Sequence, residues 1–381
     1  MAPIVIIGSG LAGYNVAREL RKLDKEVPLT IVAADSGHYY SKPMLSNALA
    51  SKKTPDTIPM NKADQMPALI NAAVRPHTRV TALDPAAHRI RIGEEGVEYS
   101  KLVLALGAEQ IRLPLAGDAA SRVLTVNSLD DYTRFRAVLA ETHAVAVIGA
   151  GLIGCEFAND LAGTGHKVDV IDIANQPLPR LLPPAGGALL KRNLETLGVT
   201  WHLGTSVVSV DARGDGVRVK LADGNAIDAD LVLSAIGLRP LITLAKEAGL
   251  ATNRGIVVDR MLQTSAPDIY ALGDCAEVEG MVLPFVMPIM HAARALAATL
   301  AGKPTRVAYP AMPVLVKTPA CPTIVSPPAD PSAGAWEIEA TEDSVKSLFK
   351  GKDGKLLGFA LNGKATAERA TLMRELPPVL A

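Results

Sequence analysis

The chain contains one glycine pattern twice, and each copy directly follows a short apolar run. Residues 4–7 lead into Gly-Ser-Gly-Leu-Ala-Gly at 8–13, and residues 144–148 lead into Gly-Ala-Gly-Leu-Ile-Gly at 149–154. After each copy come apolar residues at helical spacing and then a second apolar run. One such match arises easily by chance, but two in the same strand–turn–helix setting do not. The duplication therefore predicts an α/β fold with two Rossmann-like dinucleotide-binding domains.

Each glycine of the pattern has its own physical task. The first, Gly8 or Gly149, permits a tight turn, and the third, Gly13 or Gly154, lets a helix pack closely on a strand. The second glycine lets the backbone approach a pyrophosphate, which free N–H groups at the helix N-terminus bind. Both turns are therefore predicted to contact nucleotides.

An acidic residue at the end of the second strand helps to indicate which dinucleotide a copy holds. In the second copy, Asp172 ends the run 168–172 and is placed to accept hydrogen bonds from an adenosine ribose 2′-hydroxyl. Residues 173–176 contain no cation for a 2′-phosphate, and Arg180 is the only nearby exception. The second copy is therefore predicted to prefer NAD over NADP.

The first copy is irregular at the same place. Ala33 and Ala34 stand where the acid is expected, and Asp35 follows them. Asp35 contacts the ribose if the backbone is shifted there; if it is not, backbone groups bind the ribose instead. The equal alternative is that Asp35 is only a turn residue beside Gly37.

Composition excludes several classes of function. The 39 basic residues balance 39 acidic ones, which argues against a nucleic-acid partner, because phosphate binding needs clustered positive charge. Cys155, Cys275 and Cys321 lie far apart, so a C-x-x-C dithiol and a zinc knuckle are excluded, and no metal site is expected. Sparse cysteines suit the cytoplasm. No apolar run approaches the ~18 residues of a spanning helix, so membrane insertion is not expected.

Two further apolar runs, 102–107 and 231–237, each end at a glycine, where the chain is expected to pass between domains. We predict a first domain of residues 1–109 and 235–308, with a second domain of residues 110–234 inserted in it. Prolines cluster over 310–331, and alternating strands and a final helix over 365–375 follow. Residues 309–381 therefore form a small C-terminal α+β domain.

The motifs GSGLAG, LALGA, GAGLIGCEFA and TSAPDIYALGD, in this order, carry a resemblance to a known family. The chain resembles the flavoprotein reductases with two dinucleotide-binding domains, in the pyridine nucleotide-disulfide oxidoreductase-like superfamily. The resemblance implies FAD in the first domain and NADH in the inserted domain. It also implies that the Asp274 carboxylate binds a ribitol hydroxyl. Leu106 departs from the family, where many members have Thr.

The resemblance also supplies the predicted binding residues. The implied FAD contacts are Gly8, Ser9, Gly10, Leu11, Ala12, Gly13, Ala34, Asp35, Lys42, Pro43, Val80, Ala105, Gly107, Glu156, Asp274, Val286 and Lys317. The implied NAD contacts are Gly149, Gly151, Leu152, Ile153, Gly154, Asp172 and Gly237.

Within this family, segment 40–46 stands where the disulfide reductases keep a redox-active cysteine, yet no cysteine precedes Cys155. Electrons are therefore expected to leave the flavin directly, as in reductases of small iron proteins. The segments GLAGYNVARELRKLD, YSKPMLS, GLIGCEFANDL and VKTPACP resemble the rubredoxin-reducing group over nearly the whole chain. This implies an enzyme that takes hydride from NADH and passes single electrons to rubredoxin, a small acidic iron protein. A reductase of ferredoxin or another acceptor, and a non-enzymatic FAD- and NAD-binding sensor, are the alternatives.

Two residues are predicted to be catalytic. By analogy with the family, Lys42 and Glu156 are expected to form an ion pair near the flavin N5, because an unpaired buried charge is costly. The alternative is two solvated charges. Lys317 either turns toward the same ring or is solvated. The helix near Pro288 is expected to point its N-terminus at the flavin, and His291 in that helix is interpreted as a packing or capping residue.

Overall fold

The computed structural model describes residues 2–381. The N-terminal part of the chain alternates strands with helices. Its elements are β1 (Ile4–Ile7), α1 (Leu11–Leu23), β2 (Leu29–Val32), a 3₁₀ helix (Lys42–Asn47), α2 (Met66–Ile70), β3 (Ala73–Arg75), β4 (Ala82–Asp84), β5 (Arg89–Ile92), β6 (Glu95–Glu98), β7 (Lys101–Leu104) and β8 (Ala108–Gln110).

The second part repeats the strand–helix alternation. Its elements are a 3₁₀ helix (Ala120–Arg122), α3 (Leu129–Leu139), β9 (Ala144–Ile148), α4 (Leu152–Gly163), β10 (Lys167–Asp172), α5 (Pro184–Glu195), β11 (Val199–Leu203), β12 (Val207–Arg213), β13 (Gly216–Leu221), β14 (Ala226–Ala229), β15 (Leu231–Ser234) and β16 (Leu238–Pro240).

The remaining elements return to the first unit and then build a separate sheet. They are α6 (Thr243–Glu247), β17 (Ile256–Val258), β18 (Ile269–Ala271), a 3₁₀ helix (Gly273–Cys275), β19 (Ala276–Val278), α7 (Val286–Leu300), β20 (Val314–Val316), β21 (Thr323–Ser326), β22 (Gly334–Ala340), β23 (Ser344–Gly351), β24 (Leu356–Gly363), a 3₁₀ helix (Lys364–Glu368) and α8 (Arg369–Glu375).

Two parallel sheets carry the two glycine patterns. The first has the strand order β18-β7-β1-β2-β3, and the second has the order β11-β10-β9-β15. In both, the strand before the glycine turn is central and buried, which explains its wholly apolar sequence. Strand β18 comes from beyond the second unit, so the chain leaves the first sheet and later returns to it.

The chain crosses between these two units twice, and the two crossing strands pair with each other. Strand β8 leaves the first unit and pairs antiparallel with β16, which returns, with Leu238 opposite Gln110. The C-terminal sheet is antiparallel, with the order β20-β21-β24-β23-β22. The predicted fold class, two Rossmann-like units and a small C-terminal α+β unit, is confirmed. The domain boundaries at 109/110, 234/235 and 308/309 stay a prediction.

The ends of several predicted elements differ from those observed. The helix expected from Cys155 begins at Leu152, directly after the second glycine, and the helix expected near Pro288 begins at Val286. The final helix is split into a 3₁₀ turn and α8. Within residues 2–381, no helix combines the length and apolar character needed to cross a membrane.

Candidate active site

The first glycine-rich turn joins β1 to α1 and is enclosed by backbone on two sides. Gly8 has φ +117°, and a Cβ atom there would overlap the carbonyl oxygen of Ala105. A Cβ atom on Gly13 would overlap the carbonyl oxygen of Gly8. Above Gly10 the space is open, and this residue begins α1 without a side-chain cap. The turn therefore presents uncapped backbone N–H groups to a space that can receive an anion.

The second turn has the same construction. Gly149 has φ +109°, and a Cβ atom there would lie 2.7 Å from the carbonyl oxygen of Ala235. A Cβ atom on Gly154 would overlap the carbonyl oxygen of Gly149, and the space above Gly151 is open. Helix α4 also begins without a side-chain cap. The chain therefore has two equivalent anion-binding turns, one at the N-terminus of each helix.

The acidic residues behind the two turns are anchored differently. The Asp172 carboxylate accepts the N–H of Ala150 at 2.6 Å and that of Ala174 at 2.7 Å, so it fixes the second turn directly. The Asp35 carboxylate accepts the hydroxyl of Ser9 at 2.7 Å and the N–H of Gly37 at 3.0 Å. Asp35 therefore combines a turn bond with a link back to the first glycine turn.

A third carboxyl group, Asp274, lies next to the first turn. It follows β18, and a Cβ atom on its neighbour Gly273 would lie 3.0 Å from the Cβ of Ala12 in α1. Burial raises the pKa of Asp274, and the positive charge of Lys42 opposes this rise. The structure thus brings the glycine turn, Asp274 and the 3₁₀ helix of Lys42 together, although they are far apart in sequence.

A polar cluster of Ser46, Glu156 and Lys317 lies between the two units and the C-terminal sheet. Glu156, the fifth residue of α4, is 1% exposed. Its carboxylate accepts the Ser46 hydroxyl at 2.6 Å and the backbone N–H of Lys317 at 2.9 Å, and it forms an ion pair with the Lys317 ammonium. The Lys317 ammonium also donates to the Ser46 Oγ at 2.8 Å. Lys317 therefore turns inward to the Glu156 carboxylate, although 21% of its side chain stays exposed.

The expected Lys42–Glu156 ion pair is wrong. The Lys42 ammonium donates to Oδ1 of Asn127 at 3.2 Å, and among residues 2–381 the cation paired with Glu156 is Lys317. The physical reason lies in the C-terminal sheet, whose edge strand β20 ends beside α4 and places Lys317 over the carboxylate. Lys42 instead contacts the segment that precedes α3.

Asp160, one helical turn after Glu156, is a further buried acid that was not among the residues predicted from the sequence. Its carboxylate accepts the N–H of Leu49 at 3.0 Å and that of Ala50 at 2.9 Å. Burial raises the pKa of Asp160, and these two backbone bonds act against the rise. Tyr40 makes a parallel link, because its hydroxyl oxygen accepts the N–H of Leu129 at 3.0 Å.

Segment 40–50 of the first unit is thus held by the second unit at several points. One sequence signal could have indicated these links. Two acids at i and i+4, Glu156 and Asp160, stand in an otherwise apolar helix, and such acids need partners from other segments.

The other residues predicted to bind FAD or NAD have the following places in the fold. Leu11 and Ala12 begin α1, while Leu152 and Ile153 begin α4. The others are the exposed Ala34 after β2, Pro43 in the 3₁₀ helix, Val80 between β3 and β4, Ala105 and Gly107 after β7, Gly237 after β15, and Val286 at the start of α7.

The three cysteines and His291 do not belong to the polar cluster of Ser46, Glu156 and Lys317. Cys155, Cys275 and Cys321 are free and buried, and burial raises the pKa of Cys275 to about 11. Burial lowers the pKa of His291, assisted by the charge of Arg294. Within residues 2–381, no group of three or more His, Cys, Asp or Glu side chains is arranged to hold a metal ion.

Two glycine turns suited to anions, on two parallel sheets and with a carboxylate–lysine pair beside the second helix, are the arrangement of an oxidoreductase that uses two dinucleotides. The model of the pyridine nucleotide-disulphide oxidoreductase family matches residues 2–298, and that of the rubredoxin binding C-terminal domain matches residues 306–376. The chain belongs to the pyridine nucleotide-disulphide oxidoreductase family.

Similar proteins extend over the whole chain. A rubredoxin-NAD(+) reductase of Alcanivorax borkumensis is 50% identical over 381 residues, covering 100% of both chains. One of Acinetobacter baylyi is 49% identical over 390 residues, covering 100% of this chain and 99% of that one. Among solved structures, a ferredoxin reductase of Rhodopseudomonas palustris is 28% identical with a TM-score of 0.88, covering 99% of this chain and 96% of that chain.

Proposed function

We propose that this protein is a flavoprotein reductase that takes hydride from NADH and passes single electrons to rubredoxin. One observation carries the proposal. The C-terminal unit, matched as a rubredoxin binding domain over 306–376, places Lys317 in the polar cluster with Ser46 of the first unit and Glu156 of the second. The unit that is expected to receive the acceptor therefore also supplies part of the redox site.

The residues around the first turn fit FAD. The open space above Gly10 and the uncapped start of α1 suit a pyrophosphate, and Asp274 offers a partly buried carboxyl group beside this turn. Bound FAD supplies the chemistry, because it accepts a hydride and releases electrons one at a time. The chain's own residues bind and orient it, and the cluster of Ser46, Glu156 and Lys317 provides fixed charge nearby.

The second turn fits NADH better than NADPH. Asp172 already carries a negative charge at the end of β10, where a 2′-phosphate would be repelled. The next residue, Ile173, is 79% exposed and apolar, so it offers no cation. Arg180 is exposed and makes no hydrogen bond or ion pair within the described chain, residues 2–381.

The geometry offers no thiol relay between NADH and the acceptor. All three cysteines are buried, and burial also raises the pKa of Cys155, so its thiol stays protonated at neutral pH. We therefore propose direct electron transfer from the flavin. The same free, buried thiols support a cytoplasmic location, and the three-domain division predicted above is part of this proposal.

A reductase of ferredoxin is the second candidate, favoured by the similarity to the Rhodopseudomonas palustris structure. One experiment separates the two. The purified holoprotein is mixed with NADH or NADPH, and the reduction of rubredoxin, ferredoxin and ferricyanide is followed by absorbance. We expect a kcat/KM with NADH and rubredoxin at least ~10-fold above that with ferredoxin or with NADPH. Equal rates with NADPH would overturn the NADH assignment, and faster reduction of ferredoxin would overturn the rubredoxin assignment.

A further inference from the structure

Ser46 is the one member of the polar cluster that belongs to the first unit. Its side chain is 2% exposed and lies in the 3₁₀ helix Lys42–Asn47. Its Oγ lies 2.6 Å from Oε2 of Glu156 and 2.8 Å from Nζ of Lys317. The carbonyl oxygen of Pro43 is farther away, at 3.2 Å. The single hydroxyl proton is therefore donated to the Glu156 carboxylate, and the oxygen accepts from the Lys317 ammonium.

Both partners of this hydroxyl are charged, and hydrogen bonds to charged groups are about twice as strong as neutral ones. The three groups come from three separate parts of the fold, the 3₁₀ helix, α4 and the end of β20. Ser46 thus joins the ion pair of the second and C-terminal units to the segment that carries Lys42 and Pro43.

We propose that Ser46 is a positioning residue of the redox site, whose hydroxyl holds Lys317 and Glu156 in one fixed arrangement beside the flavin. The proposal rests on the function proposed above. A cation held in place stabilises developing negative charge without first having to reorient, and this advantage is largest where water is excluded. Without the Ser46 hydroxyl, Lys317 and Glu156 still form their ion pair, but neither is hydrogen-bonded to the 3₁₀ helix any longer.

Segment 40–50 does not depend on Ser46 for its place in the fold. Asp160 binds the N–H groups of Leu49 and Ala50, and Tyr40 binds that of Leu129. Removing one oxygen from Ser46 leaves all of these bonds. The Ser46→Ala holoprotein is therefore expected to fold and to retain FAD.

The test uses the holoprotein and compares Ser46→Ala with Ser46→Thr, which keeps the hydroxyl. Ser41→Ala is the matched control, since Ser41 lies five residues earlier in the same segment and its hydroxyl makes no hydrogen bond to any of residues 2–381. The flavin midpoint potential is measured by dithionite titration. The rate of flavin bleaching by NADH is measured by stopped flow without any acceptor.

We expect Ser46→Ala to shift the potential to a more negative value and to slow bleaching about 10- to 100-fold. Ser46→Thr should restore both to within about threefold, and Ser41→Ala should match the wild type. In a Glu156→Gln background, Ser46→Ala should add little, because the two groups act together.

Three outcomes would overturn the proposal. They are an unchanged potential and rate in Ser46→Ala, loss of FAD or of stability in Ser46→Ala that Ser46→Thr does not repair, and full additivity with Glu156→Gln. The potential requires neither NADH nor rubredoxin. If the wild type failed to reduce rubredoxin, the proposed function would be contradicted, but the effect of Ser46 on the flavin potential could still be measured.

Discussion

Helices α1 and α4 begin with the same glycine turn but use their polar residues differently. Two residues after the third glycine, α1 has Asn15 and α4 has Glu156. The Asn15 amide donates to the carbonyl oxygen of Leu11 at 2.7 Å, inside its own helix. The Glu156 carboxylate instead binds Ser46 and Lys317, from two other parts of the chain.

The next helical turn repeats the contrast. Glu19 of α1 pairs with Lys22 of the same helix at 2.7 Å, while Asp160 of α4 accepts backbone N–H groups of Leu49 and Ala50. At these two equivalent positions, α1 therefore bonds within itself, whereas α4 bonds to segment 40–50 and to Lys317. A change in α1 should therefore affect one cofactor, and a change in α4 should affect both.

The largest expected effects come from adding a methyl group to the third glycine of each turn. Gly13→Ala would push against the carbonyl of Gly8 and should yield protein without FAD. Gly154→Ala should retain FAD but raise KM for NADH about 100-fold. It should also shift the flavin absorption bands, because Glu156 lies two residues further on.

Gly163→Ala is the control for both changes, since it lies in α4 and a Cβ atom there meets no atom within 4 Å. FAD content by absorbance and NADH kinetics give the measurements. If Gly154→Ala abolished NADH use and left the flavin spectrum of the wild type, α4 would affect only its own cofactor, and the contrast with α1 would fail.

The ion pairs of the two helices should differ strongly in their contribution to stability. In Lys317→Met, Glu156 keeps a buried charge without its cation, which should lower the free energy of unfolding by about 3 kcal/mol. Lys22→Met breaks a pair whose lysine is 66% exposed and should cost less than about 1 kcal/mol.

Urea unfolding measures both losses. The double variant Lys317→Met/Glu156→Gln should recover at least half of the larger one, because it also removes the unpaired charge. Equal losses in the two single variants would show that the cluster at α4 is no more than a surface pair.

The acids behind the two turns should differ in which cofactor they affect. Asp172→Ala removes the anchor of Ala150 and the predicted ribose contact, so KM for NADH should rise about 10- to 100-fold with FAD retained. Adding Ile173→Arg should improve the use of NADPH, since it supplies a cation. Asp35→Ala should weaken FAD binding about 10-fold and leave KM for NADH unchanged.

Initial rates with both nucleotides and fluorimetric FAD titration provide the readouts. An Asp35→Ala variant with normal FAD affinity would identify Asp35 as a turn residue alone. A normal KM in Asp172→Ala would exclude the ribose contact.

The smallest expected effect concerns the strands that lead into the two turns. At the start of β9, Asp230 accepts the N–H groups of His143 and Ala144, whereas β1 begins with a bond from the N–H of Ile4 to the carbonyl of Pro28. The N–H groups of Ala144 and His143 lower the pKa of Asp230 from its ordinary 3.8. A carboxyl whose folded pKa is lowered stabilises the fold above its unfolded pKa and loses this contribution as the pH falls.

Asp230→Asn should therefore lower the free energy of unfolding by less than about 1 kcal/mol at neutral pH, because Asp230 is exposed and Asn keeps one acceptor. The difference from the wild type should begin to shrink as the pH falls below 3.8, and it should disappear only when the pH has passed through the lowered pKa of the folded state. Urea midpoints across this pH range test it. A difference that persisted in acid would show that the effect is not electrostatic.

The sequence predicted the fold well because its signals are local. A buried strand, a glycine turn and a helix follow one another within about 20 residues in each copy, so pattern alone identifies the unit. The acid at Asp172 is equally local, since it ends the strand that its own unit requires.

The polar cluster of Ser46, Glu156 and Lys317 was predicted less well because it depends on contacts between distant segments. Glu156 was expected to pair with a cation, but the predicted cation was Lys42, while Lys317 was expected either at the flavin ring or in solvent. Only the packing of β20 beside α4 decides between the two lysines. Ser46 and Asp160 lie in segments that carry the resemblance, but their partners, Lys317 for Ser46 and Leu49 and Ala50 for Asp160, are identified only by the tertiary structure.

The position of Lys317 has a consequence for how proteins of this kind can be recombined. The C-terminal unit cannot be exchanged freely, because Lys317, directly after its first strand, neutralises the buried Glu156 carboxylate of α4. A chimera that borrows this unit from a relative to change its acceptor must therefore bring a lysine at the same register of the strand. Without that lysine, the chimera would have a new acceptor-binding unit but would leave the buried Glu156 carboxylate without a cation.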